Sequence, residues 1–283
     1  GMRDFMSHNL GKFGIGELKL FKTLKAQTLW RKMLGMLFET GHPGMTFKDP
    51  CNLRSPQQHI GVVHSSNLCT EITLNTSADE IAVCNLASIN LSILVKNPYG
   101  PDATFDLEEL ERVAYQVTGN LDKVIERNFY PVQEAKNSNM RHRPIGIGVQ
   151  GLADAFVKMR FAFDSPEAAA LNRDIFETMY FGAMTASADM AKTRGCYPSF
   201  KGSPASQGLF QFDLWGVKPS DRHDWAGLKE RVMDTGLRNS LLTTLMPTAS
   251  TSQILGNNES LEAYVSNVYT RRVLSGEFVV INK

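Results

Sequence analysis

Ser65-Ser66-Asn67-Leu68-Cys69-Thr70-Glu71-Ile72, followed by Glu80-Ile81-Ala82-Val83-Cys84-Asn85-Leu86-Ala87-Ser88, sets an amide, a thiol and a carboxylate at alternate positions. In an extended segment alternate side chains share a face. Cys84 follows Cys69 on another apolar, β-prone run, so the two sulfurs can meet across neighbouring segments and be oxidised together. Each residue type suits the chemistry: a sulfur-centred radical can take hydrogen from carbon, Glu71 can remove a hydroxyl proton, and Asn67 can orient that hydroxyl. The bland alternative is that free cysteines are among the most buried residues and usually just pack.

Working outward, 283 residues with 42% hydrophobic content, 21% charged and net charge +1 describe an ordinary globular protein of one large or two small domains. A near-neutral total argues against a nucleic-acid binder that relies on bulk positive charge, and no apolar run approaches the roughly 18 residues of a membrane helix. A cytoplasmic location is expected. Gly1-Met2 reads as one residue ahead of a start methionine, and Met2-Arg3-Asp4-Phe5 lacks the apolar stretch of a secretion signal. Cys51, Cys69, Cys84 and Cys196 are too sparse and too widely spaced for a disulfide framework or a CxxC-type zinc site. Cys51 and Cys196 are assigned to packing. His64 is expected to be a hydrogen-bonded structural histidine, with no second ligand at metal spacing.

The coarse pattern is mixed helix and strand, α/β in class. Met2 to Leu20 is glycine-studded and expected to be irregular. Helices are expected at Phe21 to Thr40, from an Asp106 N-cap to Arg127, from Ser165-Pro166 to Arg194 with Gly195 past the end, and at His223 to Thr235. On the second of these the apolar residues are Leu107, Leu110, Val113, Val117, Leu121 and Val124. Short strands fit at Leu241 to Met246 and Phe278 to Ile281. Pro247-Thr248-Ala249-Ser250-Thr251-Ser252, small and hydroxylated between that strand and a helix-compatible run, suits an anion at a helix N-terminus; the alternative is a plain N-cap with solvent-facing serines. Gly146-Ile147-Gly148-Val149-Gln150-Gly151 fits a dinucleotide fingerprint by letter, but no strand is expected before it and no acidic residue closes a following one. Tyr269-Thr270-Arg271-Arg272 reads as a solvated basic turn ahead of an anion clamp.

The segments quoted above resemble the large, catalytic subunit of class I ribonucleotide reductase, whose finger loop reads Asn-Leu-Cys-x-Glu with a second cysteine downstream. The resemblance extends to Arg141 through Asp154, Met246 through Ser260 and Tyr269 through Phe278, covering roughly residues 28 to 283 with 1–27 poorly matching. It implies part of a ten-stranded α/β barrel, flanked by helices, with a central finger loop at 64–72 and a phosphate loop at 247–252. By the same resemblance Cys69 becomes a transient thiyl radical, Glu71 acts as base, Asn67 and Ser66 hold substrate, and Cys84 is half of the reducing dithiol. Thr248, Ala249, Ser250, Thr251 and Ser252 would bind the diphosphate of a ribonucleoside diphosphate, Thr248 and Ala249 through their backbone.

No metal or cofactor is expected on the chain itself. The radical would come from a metal-containing small subunit and the electrons from thioredoxin or glutaredoxin. The residues to hand lack the family's other barrel half, its relay tyrosine pair and its mobile cysteine pair, so a catalytic fragment inactive alone is expected. A non-catalytic nucleotide-binding or assembly remnant that docks a separate N-terminal half is the alternative. A glycyl-radical lyase is disfavoured because its C-terminal glycine motif does not occur; a cobalamin-dependent reductase shares the finger motif.

Overall fold

A computed structural model describes residues 22–282. Among these, residues up to Met45 and residues from Thr46 onward form two compact units. The first holds helix α1 (Ala26–Thr40), which begins later than expected and ends at Gly41, where φ is 75° and the N–H reaches Leu37 O. None of its residues is buried. Met2 to Leu20, expected to be irregular, and Phe21 lie outside the described residues.

The second unit opens with a short helix α2 (Lys48–Leu53) and is organised around parallel extended segments. β1 (Leu86–Asn90) pairs in parallel with β4 (Gly146–Gln150), Leu86 opposite Gly146 and Asn90 opposite Gln150. On the other side of β4 runs Leu241–Met246. It makes only one ladder bridge, Thr243 to Ile147, but Ile145 and Ile147 donate to Leu241 O and Leu242 O, and Thr244 donates to Ile147 O. Glycine permits this approach: a Cβ at Gly148 would lie 2.6 Å from both Met246 Sδ and Thr244 O, and one at Gly146 only 2.4 Å from Thr244 Cγ2. The G-x-G letters therefore serve strand packing, and the element before them is a helix, α4 (Gln133–His142). β2 (Val95–Lys96) and β3 (Thr104–Phe105) form a small antiparallel pair. β5 (Val268–Val273) and β6 (Gly276–Ile281) form a hairpin, which corrects the basic turn expected at Tyr269–Arg272: alternating side chains there need a strand to reach the neighbouring loop.

Helical crossovers join the parallel segments, as parallel pairing requires. α3 (Leu107–Arg127) starts at Asp106, whose carboxylate accepts from Glu109 N–H. α5 (Leu152–Met159) follows β4 directly. α6 (Pro166–Arg194) starts with Ser165 capping Ala168 N–H and proline in the first turn. α7 (Gln211–Leu214) is a single turn, and α8 (Trp225–Thr235) starts at Trp225, since Asp224 supplies the cap. α9 (Thr251–Leu255) closes the series. α3 and α6 pack on each other where Gly182 admits the Glu111 carbonyl, 2.7 Å from where a Cβ would stand. Leu110, Ala114, Leu121 and Ile125 of α3 share one core with Ile175, Met179 and Ala183 of α6 and Ile147 and Val149 of β4. Val124, expected on that apolar face, is exposed, and Ile125 is buried in its place. The α/β class stands; the described residues do not close a barrel, and among them no helix is long and apolar enough to cross a membrane.

A polar cluster is buried among these elements. Asp122 of α3 is fully buried and accepts from Arg143 Nη2 at 2.6 Å and Nε at 3.0 Å, and from Asn239 Nδ2 at 3.2 Å. Arg143, itself almost wholly buried, caps α4 in a left-handed conformation (φ 45°). A second buried chain runs from Ser199 Oγ through His142 to Glu80, at 2.7 and 3.0 Å. Removing one partner of a buried, hydrogen-bonded charge pair strands the other, so Asp122→Ala should lower stability by about 3–5 kcal/mol in chemical denaturation. Gly148→Ala should cost about 1–3 kcal/mol by the same measurement, because the new methyl meets backbone as well as side chain.

Candidate active site

The finger segment is anchored at its base by Asn52 of α2, whose amide accepts from Val63 N–H at 2.8 Å and donates to Val63 O at 3.0 Å. Buried Gln57 adds a second tie, accepting from Asn75 N–H and donating to Ser240 Oγ. Between these anchors the backbone is not extended. It turns at Leu68-Cys69, with Thr70 at φ 68° and its N–H on Asn67 O. The expectation of a shared face on a strand is corrected accordingly: the turn, not alternation, brings amide and carboxylate together. Asn67 Nδ2 donates to Glu71 Oε2 at 2.8 Å while its Oδ1 accepts from Ile72 N–H at 3.1 Å. Ser66 Oγ donates to Ile72 O at 2.7 Å. Cys69 is exposed on the turn, and Glu71 is half-buried; among the described residues its second carboxylate oxygen has no hydrogen-bond partner.

Thr244 joins this loop to the parallel segments. Its hydroxyl donates to Glu71 O at 3.0 Å. Glu71, Cys84, Gly146 and Thr244 line one small cavity of about 60 Å³. Partial desolvation, and then the nearby Glu71 carboxylate, raise the Cys84 thiol above its ordinary value. Cys69 and Cys84 are both exposed, free thiols, and Cys69 does not line the Glu71–Cys84 cavity. Cys196 and His64, expected to pack or to be structural, are exposed; Cys51 is half-buried.

The same Leu241–Met246 segment leads into the loop 247–252. Thr248 (φ 55°) and Ser252 are buried and spent on internal bonds: Ser252 Oγ and N–H both donate to Thr248 O, and Thr248 Oγ1 accepts from Ser260 N–H. Ala249, Ser250 and Thr251 face outward. Among the described residues their three N–H groups have no hydrogen-bond acceptor, and successive free N–H groups form a concavity suited to an anion. Of the residues singled out from sequence, Asn67, Glu71 and Cys84 are gathered near Thr244, and Ala249–Thr251 stand at the far end of the same segment. Thr244, Gln57 and Asn52 escaped sequence reading. For Thr244 the one signal was the Thr243-Thr244 pair, polar inside an apolar run.

Iodoacetamide should alkylate Cys84 more slowly than free cysteine at pH 8, because a raised thiol carries less thiolate. Glu71→Gln removes one of the two causes of that rise and should quicken labelling of Cys84, as peptide mass spectrometry over a time course would record.

The chain matches the family described as ribonucleotide reductase, barrel domain, over residues 14–283. It is 56% identical over 267 residues to the ribonucleoside-diphosphate reductase large subunit of Dictyostelium discoideum, covering 93% of this chain and 31% of that protein. The large subunit of Arabidopsis thaliana is 55% identical over 282 residues, covering 94% of this chain and 35% of that protein. The Variola virus large subunit is 53% identical over 265 residues, with 93% and 34% covered. The chain thus spans about a third of the length of the curated relatives it matches. With the motif loops, the parallel segments and the family match coinciding along nearly its whole length, the chain belongs to the ribonucleotide reductase barrel-domain family.

Proposed function

We propose that this chain is the part of a ribonucleoside-diphosphate reductase large subunit that carries the radical thiol, the base and the diphosphate loop. The reaction converts a ribonucleoside diphosphate and a dithiol into the 2′-deoxyribonucleoside diphosphate, a disulfide and water. Cys69 takes the ribose 3′-hydrogen as a thiyl radical and later returns it. Glu71 takes the 3′-hydroxyl proton, with its carboxylate oriented by Asn67, and Ser66 and Asn67 hold the sugar. Cys84 supplies one sulfur of the dithiol, its partner coming from another part of the large subunit. Ala249, Ser250 and Thr251 hold the diphosphate on their free N–H groups and hydroxyls, and Thr248 and Ser252 keep the loop in shape.

A metal-containing small subunit supplies the radical, and thioredoxin or glutaredoxin restores the dithiol. A cytoplasmic setting, with thiols kept reduced, belongs to the same proposal. The observation that carries it is the Thr244 bond to Glu71: one segment holds the base at one end and feeds the anion loop at the other.

The test is complementation. The chain is mixed with the remainder of a relative's large subunit, a small subunit and dithiol, and dCDP is measured. Turnover that falls to background in Cys69→Ser is expected, and the chain alone should make none. In calorimetry, CDP affinity should drop about tenfold or more in the Ser250→Ala, Thr251→Ala double variant, the loss of one or two hydrogen bonds to a charged ligand. CDP binding with no turnover in any mixture would favour the non-catalytic remnant, and equal affinity in the double variant would sink the assigned loop.

A further inference from the structure

The arginine in Tyr269-Thr270-Arg271-Arg272 has a place next to the anion loop. Arg271 lies on β5, is about 29% exposed in its side chain, and divides its guanidinium between two partners. Nη1 donates to Glu259 Oε1 at 2.9 Å, and Nη2 donates to Ala249 O at 3.2 Å. Its neighbour Arg272 is 82% exposed and pairs only across the hairpin with Glu277.

Glu259 is a fixed anchor because the chain is tied on both sides of it. Asn258 N–H donates to Asp154 Oδ2 at 2.8 Å, with Asp154 also held by Tyr264 OH at 2.7 Å, and Ser260 N–H donates to Thr248 Oγ1 at 2.8 Å. A series of hydrogen bonds therefore runs from α5 through the 258–260 segment and Arg271 to a single peptide in the loop. In a trans peptide the carbonyl and the next N–H point in opposite directions. Holding Ala249 O on the hairpin side turns Ser250 N–H to the opposite side of the loop. Released, that peptide could rotate and present its carbonyl to an anion instead.

We infer that Arg271 is a positioning residue: latched by Glu259, it fixes the Ala249–Ser250 peptide so that the loop presents N–H groups to a diphosphate. The inference rests on the phosphate role proposed above. A planar fork is needed, since a lysine ammonium cannot span both partners in one plane.

The test is calorimetric titration of the full chain with CDP, inorganic pyrophosphate and cytidine, in the wild type and in Arg271→Gln, Arg271→Lys and Arg272→Gln. Arg271→Gln should weaken CDP and pyrophosphate about tenfold, leaving cytidine affinity and the unfolding midpoint unchanged. Arg271→Lys should recover less than half of that loss, and Arg272→Gln should change binding less than twofold. Full recovery in Arg271→Lys would assign the effect to charge alone and overturn the fixing of the peptide. Undiminished diphosphate binding in Arg271→Gln would overturn the latch while leaving the loop's phosphate role intact. A wild-type chain that binds CDP no better than cytidine would overturn that role, and the latch with it.

Discussion

The arrangement of the site depends on how closely Leu241–Met246 can lie against β4. That spacing exists because Gly146 and Gly148 have no Cβ where Thr244 and Met246 pass. A side chain at either position would push the segment outward, carrying Thr244 away from Glu71 O and shifting the start of the loop at Pro247. The finger turn, the Cys84 cavity and the loop 247–252 are three separate pieces of sequence, and this one contact brings them into register. Only one ladder bridge forms along Leu241–Met246, and three backbone hydrogen bonds with Ile145 and Ile147 hold the segment at the distance the glycines set.

Hydrogen bonding completes what apolar packing begins. The core shared by α3, α6 and β4 positions the helices, but the ends of the parallel segments are fixed by buried polar groups. Arg143, at the end of α4 and just before β4, is held by Asp122, and Asn239, just before Leu241, is held by the same carboxylate. Both segments that meet at the glycines are therefore tethered at their starts to one atom group on α3. Gln57 repeats the device nearer the finger, tying Asn75 to Ser240. Burying such groups is costly unless they find hydrogen-bond partners, and here the partners come from distant parts of the chain.

The two loops differ in how they use their polar side chains. In the finger, Asn67 and Ser66 make bonds that close the turn and orient Glu71, and Cys69 stands exposed on it. In the loop 247–252, Thr248 and Ser252 are turned inward as braces, and the neighbouring backbone faces out. A serine-rich or threonine-rich stretch thus divides between residues that build the loop and residues left free for a ligand, and the division follows burial.

Local signals in the sequence determined the helices with strong caps, from Asp106 to Arg127 and from Ser165 to Gly195, because a cap and an adjacent proline or glycine act within one turn of chain. Motif resemblance likewise identified the family and singled out Asn67, Cys69, Glu71 and Cys84 as candidates. The tertiary structure alone decided the shape of the finger, since a left-handed Thr70 and an Asn67 side chain bonded to residues further along replace the extended backbone that alternation suggested. It also decided the burial of Ile125 over Val124, the strand at Tyr269–Arg272, and the contacts of Thr244, Gln57 and Arg271. Those features depend on contacts between residues far apart in the chain, where periodicity and spacing carry no information about which partner will be in reach.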